Sequence, residues 1–145
     1  MKIRAAIIGM GVGRKHFEAI ENYKDSKVKI IYEKNKKKIA LLRKKYPKKI
    51  ITNNENDIFK DKTINLVSIA SYDNYHYSQI IKSLNSNKNI IVEKPMCLNQ
   101  EQLKNIYYLL KKKKNIKMTS NLVLRVNSLF KNFKKKINRK NVFYI

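Results

Sequence analysis

A glycine-rich segment near the start of the chain constrains its fold more than any other feature. Gly9, Gly11 and Gly13 follow an apolar run at 3–8 and precede a helical pattern at 14–22. A strand, a tight turn and a helix in that order aim backbone N–H groups and the helix dipole at one point, which suits a phosphate. The third glycine comes one residue earlier than in the dinucleotide fingerprint G-x-G-x-x-G. The sequence predicts a pyrophosphate-binding turn with these candidate residues: Gly9, Met10, Gly11, Val12 and Gly13.

Strand-like and helix-like patterns alternate along the rest of the chain. Apolar and β-branched runs predict strands at 3–8, 28–32, 50–52, 66–70, 89–92 and 117–120. Amphipathic spacing and caps predict helices at 14–22, 35–46, 55–59, 75–84, 99–113 and 128–137, and a further strand is predicted at 141–145. Asn35 and Asn99 are the predicted caps, and Leu103, Ile106 and Leu110 are predicted to face the core. This alternation predicts right-handed βαβ units, and therefore an α/β fold with a Rossmann-type, doubly wound parallel sheet.

An acidic residue follows the second predicted strand. Glu33 lies about 20 residues beyond the glycine segment, where a carboxylate can accept both ribose hydroxyls of an adenosine. The alternative is a solvated acid at a strand end. A carboxylate at this point would repel a 2′-phosphate, so NAD is favoured as the cofactor. Three nearby lysines, Lys34, Lys36 and Lys37, keep NADP open.

The fifth predicted strand ends in Glu93-Lys94-Pro95. Lys94 leaves a buried strand at the expected mouth of a cleft, where a desolvated ammonium can polarise or deprotonate a substrate hydroxyl. Glu93 can pair with a neighbour, and Pro95 fixes the turn that aims the lysine. A surface salt bridge at a strand end explains the same three residues equally well, so their spacing alone does not decide between the two roles.

Size and composition narrow the class of protein. The chain has 145 residues and 43% apolar content, which suits one domain with a core of its own. Apolar runs stay well below the ~18 residues of a membrane span, and the start of the chain lacks the pattern of a signal peptide. The single cysteine, Cys97, excludes an internal disulfide framework. We expect a reduced, cytoplasmic protein that does not enter a membrane.

The net charge of +24 invites a nucleic-acid interpretation. However, lysine is spread over nearly every predicted helix, and arginine, the better reader of phosphates and bases, is sparse. We therefore expect no dedicated nucleic-acid partner.

The two histidines, His16 and His76, lie far apart in sequence, so a metal site is not predicted. His16 is interpreted as a structural residue of the first helix.

A methyltransferase that uses S-adenosylmethionine is an alternative class. Such enzymes also combine a strand, a G-x-G-x-G turn and an acid after the second strand. They usually carry a further acid two residues before the first glycine, and this chain has Ile7 there. The oxidoreductase interpretation is therefore preferred.

The chain resembles the glucose-fructose oxidoreductase / inositol dehydrogenase (Gfo/Idh/MocA) family of NAD(P)-dependent oxidoreductases. The segments that carry the resemblance are the 9–16 loop, 69–71 with His76, 92–95, and 120–121 with Arg125. The resemblance implies hydride transfer at a carbon of a sugar-like or cyclitol-like alcohol or carbonyl. It assigns the cofactor pyrophosphate to the glycine segment and the adenosine ribose to Glu33. It places Ser71 and His76 near the nicotinamide, Glu93 and the catalytic Lys94 at the cofactor–substrate junction, and Asn121 beside the active site.

The resemblance also predicts a division of the chain. The glycine segment is a residue shorter than the family pattern, so the first helix should start one residue earlier. Family members continue into a second domain that supplies the substrate pocket and usually the oligomer interface. We therefore expect an NAD(P)-binding domain at 1–121, and at 122–145 a connecting helix and the first strand of a truncated second domain. A catalytically incomplete cofactor-binding fragment is the alternative function, and self-association through the exposed C-terminal surface is expected.

Overall fold

Six parallel strands form one sheet in the order β3-β2-β1-β4-β5-β6 in the computed structural model, which describes residues 2–136. The strands are β1 Ile3–Ile8, β2 Ser26–Tyr32, β3 Ile50–Thr52, β4 Leu66–Ile69, β5 Asn89–Val92 and β6 Met118–Ser120. The helices are α1 Gly13–Asn22, α2 Lys36–Lys45, α3 Asn56–Phe59, α4 Asp73–Asn85, α5 Gln100–Lys112 and α6 Ser128–Lys136, with a 3₁₀ turn at Val123–Arg125. The predicted α/β fold with a doubly wound parallel sheet is confirmed. The strand predicted at 141–145 lies outside the described residues.

The central strand shows why a continuous apolar run becomes a parallel strand. Ala5, Ala6, Ile7 and Ile8 of β1 are all fully buried. Successive side chains of a strand point to opposite faces, so Ala6 and Ile8 enter one core and Ala5 and Ile7 enter the other. A strand covered by helices on both faces needs apolar residues at every position, which is what the sequence provides.

Both predicted helix caps are present, and one core prediction is wrong. Asn35 accepts a hydrogen bond from the Lys38 N–H at 3.1 Å, and Asn99 accepts one from the Gln102 N–H at 2.9 Å. Leu103, predicted to face the core, is 47% exposed. Ile106 and Leu110, predicted together with it, do face the core, Ile106 fully and Leu110 partly buried, so the prediction is wrong only at the start of the helix.

A buried lysine lies at the N-terminal ends of the strands, directly before β5. Lys88 is 2% exposed, and its ammonium donates to the carbonyl oxygens of Asp61 and Ile64 at 2.7 and 3.0 Å. Burial lowers the pKa of Lys88, and the carboxylate of Asp61 offsets part of this effect. For Asp61, burial alone would raise the pKa, but hydrogen bonds from Lys29 and Thr63 outweigh it and lower the pKa to about 2. These groups hold the loop before β4, at the edge away from the glycine segment.

The described residues contain neither a membrane-spanning helix nor a cluster of metal ligands. Across residues 2–136, every helix is too short or too polar to cross a membrane. Within that range, His, Cys, Asp and Glu side chains also form no group of three that could hold a metal ion.

Candidate functional site

A cleft of about 510 Å³ lies at the C-terminal ends of β1, β2 and β4. The sheet order reverses between β1 and β4, which is where open α/β sheets bind their ligands. Of the residues that the sequence nominated, Gly9, Met10, Gly11, Val12, Glu33 and Ser71 line it, and Gly13, His76, Glu93, Lys94 and Asn121 lie outside its lining. Its other lining residues are Tyr32, Lys34, Asn35, Lys38, Ala70, Tyr72, Tyr75 and Gln79.

Each of the three glycines has a different structural role. A Cβ on Gly9, which has φ +86°, would lie 2.6 Å from the Ala70 carbonyl oxygen, so only glycine fits this turn. A Cβ on Gly13 would meet an Ile7 methyl at 3.0 Å, so this glycine lets α1 pack closely on β1. A Cβ on Gly11 would meet nothing within 4 Å. These are the roles of a dinucleotide-binding turn, with the middle glycine leaving room for a ligand against the backbone.

The first turn of α1 is open to an anion. Its capping residue is Val12, whose side chain cannot accept a hydrogen bond, and Gly13 to His16 include no acidic residue. Helices α2 and α5, in contrast, are capped by asparagine side chains. The helix begins at Gly13, one residue before the predicted range of 14–22. The Arg14 and Lys15 N–H groups donate to the Gly11 and Val12 carbonyl oxygens at 3.4 and 2.9 Å. The positive end of the helix dipole faces the cleft beside Gly11.

Opposite charges meet at the far end of the cleft. Glu33 is partly exposed and accepts a hydrogen bond from the Asn35 N–H at 3.1 Å, which fixes the carboxylate beside the N-terminus of α2. The Lys34 ammonium lies 3.8 Å from the centroid of the Tyr75 ring, in a cation–π contact between two lining residues. Both a carboxylate and an ammonium are therefore available to an adenosine, and Glu33 occupies the position that the sequence predicted for a ribose contact.

A polar chain beneath Ser71 orients its hydroxyl. Glu55 receives Lys82 at 2.6 Å and the Gln79 side-chain amide at 2.8 Å. Burial alone would raise the pKa of Glu55, but these two hydrogen bonds outweigh it and lower the pKa, so Glu55 is ionised and can only accept. The Gln79 oxygen then receives the Ser71 hydroxyl at 2.7 Å. The lone pairs of Ser71 are left for a ligand donor, a role for Gln79 and Glu55 that no sequence pattern indicated.

Glu93 lies at the centre of a buried network. Its carboxylate accepts the His16 Nε2–H at 2.9 Å and the Asn121 side-chain amide at 2.6 Å. Burial alone would raise the pKa of Glu93, but the hydrogen bonds from Asn121 and His16 outweigh it and lower the pKa. The Nδ1 of His16 lies 2.6 Å from the Ser68 hydroxyl, which donates to it in the neutral ring. His16 shares the inward face of α1 with Gly13, and this spacing was the available signal for its burial.

Ser68, His16 and Glu93 have the composition of a hydrolytic triad, but they cannot act as one. Ser68 is fully buried in β4 and lies outside the lining of the cleft. A nucleophilic hydroxyl must reach the substrate carbonyl, so this serine has no access to a reaction. The network is instead a set of satisfied buried polar groups that joins α1, β4, β5 and the end of β6.

His76 is placed beneath the cleft rather than on its wall. It is fully buried, with Nδ1 2.7 Å from the Pro95 carbonyl oxygen and Nε2 3.0 Å from the Ser71 carbonyl oxygen. Both ring nitrogens lie against carbonyl oxygens of the protein, and its predicted place near the nicotinamide stays a prediction. Glu93 is similarly engaged by its neighbours. Lys94 is exposed, and the desolvation predicted for its ammonium is therefore absent from the arrangement of residues 2–136.

The sheet order, the glycine turn and the acid after β2 together define a dinucleotide-binding Rossmann domain. The comparison with known proteins names the family. The chain belongs to the Gfo/Idh/MocA oxidoreductase family, whose NAD-binding Rossmann-fold model matches residues 3–121. This match confirms the resemblance, and NAD is the cofactor that it assigns. It also favours the oxidoreductase over the methyltransferase alternative.

The similar proteins are longer than this chain. An uncharacterized oxidoreductase of Synechocystis sp. is 26% identical over 108 residues, which are 74% of this chain and 29% of that protein. Myo-inositol 2-dehydrogenase from Lactobacillus plantarum shares the fold with a TM-score of 0.84 and 21% identity over 93% of this chain and 40% of its own. Scyllo-inositol dehydrogenase from Lactobacillus casei, solved with NAD(H) and scyllo-inositol, gives the same four values. The chain therefore spans about 40% of the length of these solved structures.

Proposed function

We propose that the protein is an NAD-dependent oxidoreductase that acts on a CH–OH group, or the corresponding carbonyl, of a sugar-like or cyclitol-like molecule. The observation that supports this most is the placement of the glycine turn and of Lys94 at the same edge of the sheet. β5 lies two strands from β1, a separation of about 10 Å at the usual strand spacing. The scyllo-inositol dehydrogenase that shares this fold holds both a nicotinamide cofactor and a cyclitol.

Each residue has a proposed role in this site. Gly9, Met10, Gly11, Val12 and Gly13 hold the pyrophosphate against the start of α1, and Glu33 accepts hydrogen bonds from the adenosine ribose. The Ser71 hydroxyl oxygen accepts a hydrogen bond from the nicotinamide half of the cofactor. In the oxidation, the amine form of Lys94 accepts a hydrogen bond from the substrate hydroxyl and takes up its proton, and in the reduction the ammonium form donates to the carbonyl oxygen and returns that proton. Asn121 borders the same space. The bound cofactor would supply the acceptor of the hydride that leaves the substrate carbon.

The open space at Gly11, where a Cβ would meet no atom within 4 Å, also fits this cofactor. The space above the glycine is bounded by backbone and by the open end of α1, and a side chain would fill it without touching the protein. A group with two negative charges gains most from such a place, because backbone N–H donors and the helix dipole act on it together.

A second candidate function is dinucleotide binding without turnover by the 145-residue chain. The exposure of Lys94 favours it, because residues 2–136 build the cofactor cleft but leave the lysine open to water. Hydride transfer requires a substrate carbon held against the nicotinamide, and this positioning is worth about 7–11 kcal/mol of the barrier. One exposed lysine cannot hold a polyol in that geometry.

We also propose the division of the chain into a cofactor-binding unit at 1–121 and a connecting segment at 122–145. The support is a change in burial at this point. Between residues 122 and 136, the large apolar side chains are at least 43% exposed: Leu122, Val123, Leu124, Val126, Leu129, Phe130 and Phe133. Such a surface favours association, which sedimentation of the purified chain would detect.

The test combines binding with turnover. The purified chain is titrated with NADH by calorimetry and assayed with NAD and a panel of sugars and cyclitols. Binding together with turnover that is lost in Lys94→Ala supports the oxidoreductase. Binding without turnover supports the second candidate. Absence of NADH binding by the folded chain contradicts both. Lys104→Ala, on the exposed face of α5, is the matched control for removing one lysine charge.

A further inference from the structure

The turn that carries the proposed catalytic lysine is held on both sides by buried groups. We define the Lys94 turn as residues Glu93 to Pro95. On one side, Glu93, the residue directly before the lysine, has its carboxylate held by His16 and Asn121 at 2.9 and 2.6 Å. On the other side, the Pro95 carbonyl oxygen lies 2.7 Å from His76 Nδ1. The lysine itself is exposed, so its main chain rather than its side chain is the part that the protein fixes.

His16 controls the Glu93 side of this turn. It is 9% exposed and donates its Nε2–H to the same Glu93 oxygen that receives the Asn121 amide. A carboxylate with several donors has a fixed orientation, because turning it would leave buried N–H groups without partners. The position of the Lys94 N–H therefore depends on His16 through a single intervening carboxylate.

His76 controls the Pro95 side. Its ring is fully buried between the Pro95 carbonyl and the Ser71 carbonyl, so it connects the Lys94 turn to the loop that lines the cleft after β4. His16 makes the equivalent connection to the glycine segment, since it lies in the first turn of α1, three residues after Gly13. Each histidine thus links the lysine to a different wall of the cofactor cleft.

We propose, on the basis of the proposed function of Lys94, that His16 and His76 are positioning residues that hold the lysine at the cofactor–substrate junction. His16 acts through Nε2 and Glu93, and His76 acts through Nδ1 and Pro95. The other nitrogen of each ring, which faces Ser68 or Ser71, anchors the histidine to β4 or to the loop after it. The two histidines therefore use opposite nitrogens to reach the same turn.

This opposition makes a sharp test with asparagine and glutamine. The amide nitrogen of asparagine lies near the place of Nδ1 of a histidine, and that of glutamine lies near the place of Nε2. His16→Gln keeps a donor to Glu93, and His16→Asn removes it. For His76 the order is reversed, because His76→Asn keeps a donor to Pro95 and His76→Gln removes it. The same two substitutions are made at both positions, so a purely structural role, in which the smaller asparagine is the worse replacement at each, predicts no crossed pattern.

The first measurement uses the cofactor. The full chain is treated with trace acetic anhydride with and without saturating NADH, and labelling of Lys94 is read by mass spectrometry of its peptide. Lys62, exposed in the loop before β4 at the opposite edge of the sheet, is the internal reference. NADH should protect Lys94 in the wild type, in His16→Gln and in His76→Asn. Protection should be lost in His16→Asn and His76→Gln, with each dissociation constant measured so that saturation is assured.

The second measurement needs no cofactor. The chemical shift of the Lys94 amide, followed by NMR, should be the same in the wild type and in His16→Gln and should change in His16→Asn. Equal protection and equal amide shifts within each pair would overturn the positioning role while leaving the proposed function intact. A wild-type chain that binds NADH without protecting Lys94 would instead contradict the proposed role of the lysine, and the positioning role with it. If one pair fails to fold, the other pair decides by the same criterion.

Discussion

Replacement of Gly11 should remove cofactor binding without disturbing the fold. A Cβ built at this position meets no atom within 4 Å, and its backbone has no positive φ that would strain a side chain. Gly11→Leu should therefore change the free energy of unfolding by less than about 0.5 kcal/mol, as at other unconstrained surface sites. The same side chain fills the space that we assign to the pyrophosphate, so binding should be lost.

The size of the effect follows from the contacts that the side chain displaces. A hydrogen bond from a backbone N–H to a charged group is worth about 1.5–3 kcal/mol. Loss of one such bond weakens binding by roughly 10-fold to 150-fold, and loss of the whole pyrophosphate contact takes the dissociation constant beyond the range of calorimetry. Calorimetry with NADH and thermal unfolding of the same samples give the two quantities separately.

The neighbouring glycines are the controls. A Cβ on Gly9 would lie 2.6 Å from a backbone oxygen in a residue with φ +86°, so Gly9→Ala should destabilise the fold by about 1–3 kcal/mol or more. Gly13→Ala should cost less, because its nearest contact is an Ile7 methyl at 3.0 Å that can shift. Unchanged NADH affinity in a folded Gly11→Leu chain would refute the placement of the pyrophosphate, whatever the other two variants do.

The remaining predictions concern the preference for NAD over NADP and the pH dependence of the free energy of unfolding. Glu33→Ala should weaken NAD and reduce the preference for NAD over NADP, and calorimetry that finds tighter NADPH binding by the wild type at moderate salt would show that Lys34 and Lys38 prevail over the carboxylate. The pKa of Asp61 falls from 3.8 to about 2 on folding, so its stabilisation is complete above pH 3.8 and is lost as the pH drops towards 2. Asp61→Asn should therefore cost roughly 2 kcal/mol at pH 7, and denaturant melts should show this difference shrinking between pH 4 and pH 2.

Much of the fold could be read from local patterns. The bounds of β3 and β5 agree with the prediction at both ends, because short β-branched runs between polar turns leave few alternatives. Asn35 was recognisable as a cap because its side chain acts on a residue three positions later. Leu103 was placed wrongly because its spacing groups it with Ile106 and Leu110, whereas only the packing of α5 decides how far along the helix that face is covered.

The site divides in the same way. The cradle at Gly11 and the position of Glu33 depend on the strand-turn-helix order, which is local and is visible in the spacing of residues. The partners of Glu93 come from α1 and from the end of β6, 77 and 28 residues away, and no spacing rule connects them. His76 has the same history, since its contact with Pro95 spans 19 residues.

The sequence by itself determined the parallel sheet, the cofactor turn and the family, because these depend on hydrophobic periodicity and on glycine at positions where a Cβ has no place. Only the tertiary structure decided which polar side chains face the cleft and which are buried beneath it. Burial of a polar group is tolerated where its partners are present, and those partners arrive when distant strands are brought side by side. For that reason His16 and His76, similar in sequence to any helical histidine, are joined to the Lys94 turn only in the folded chain.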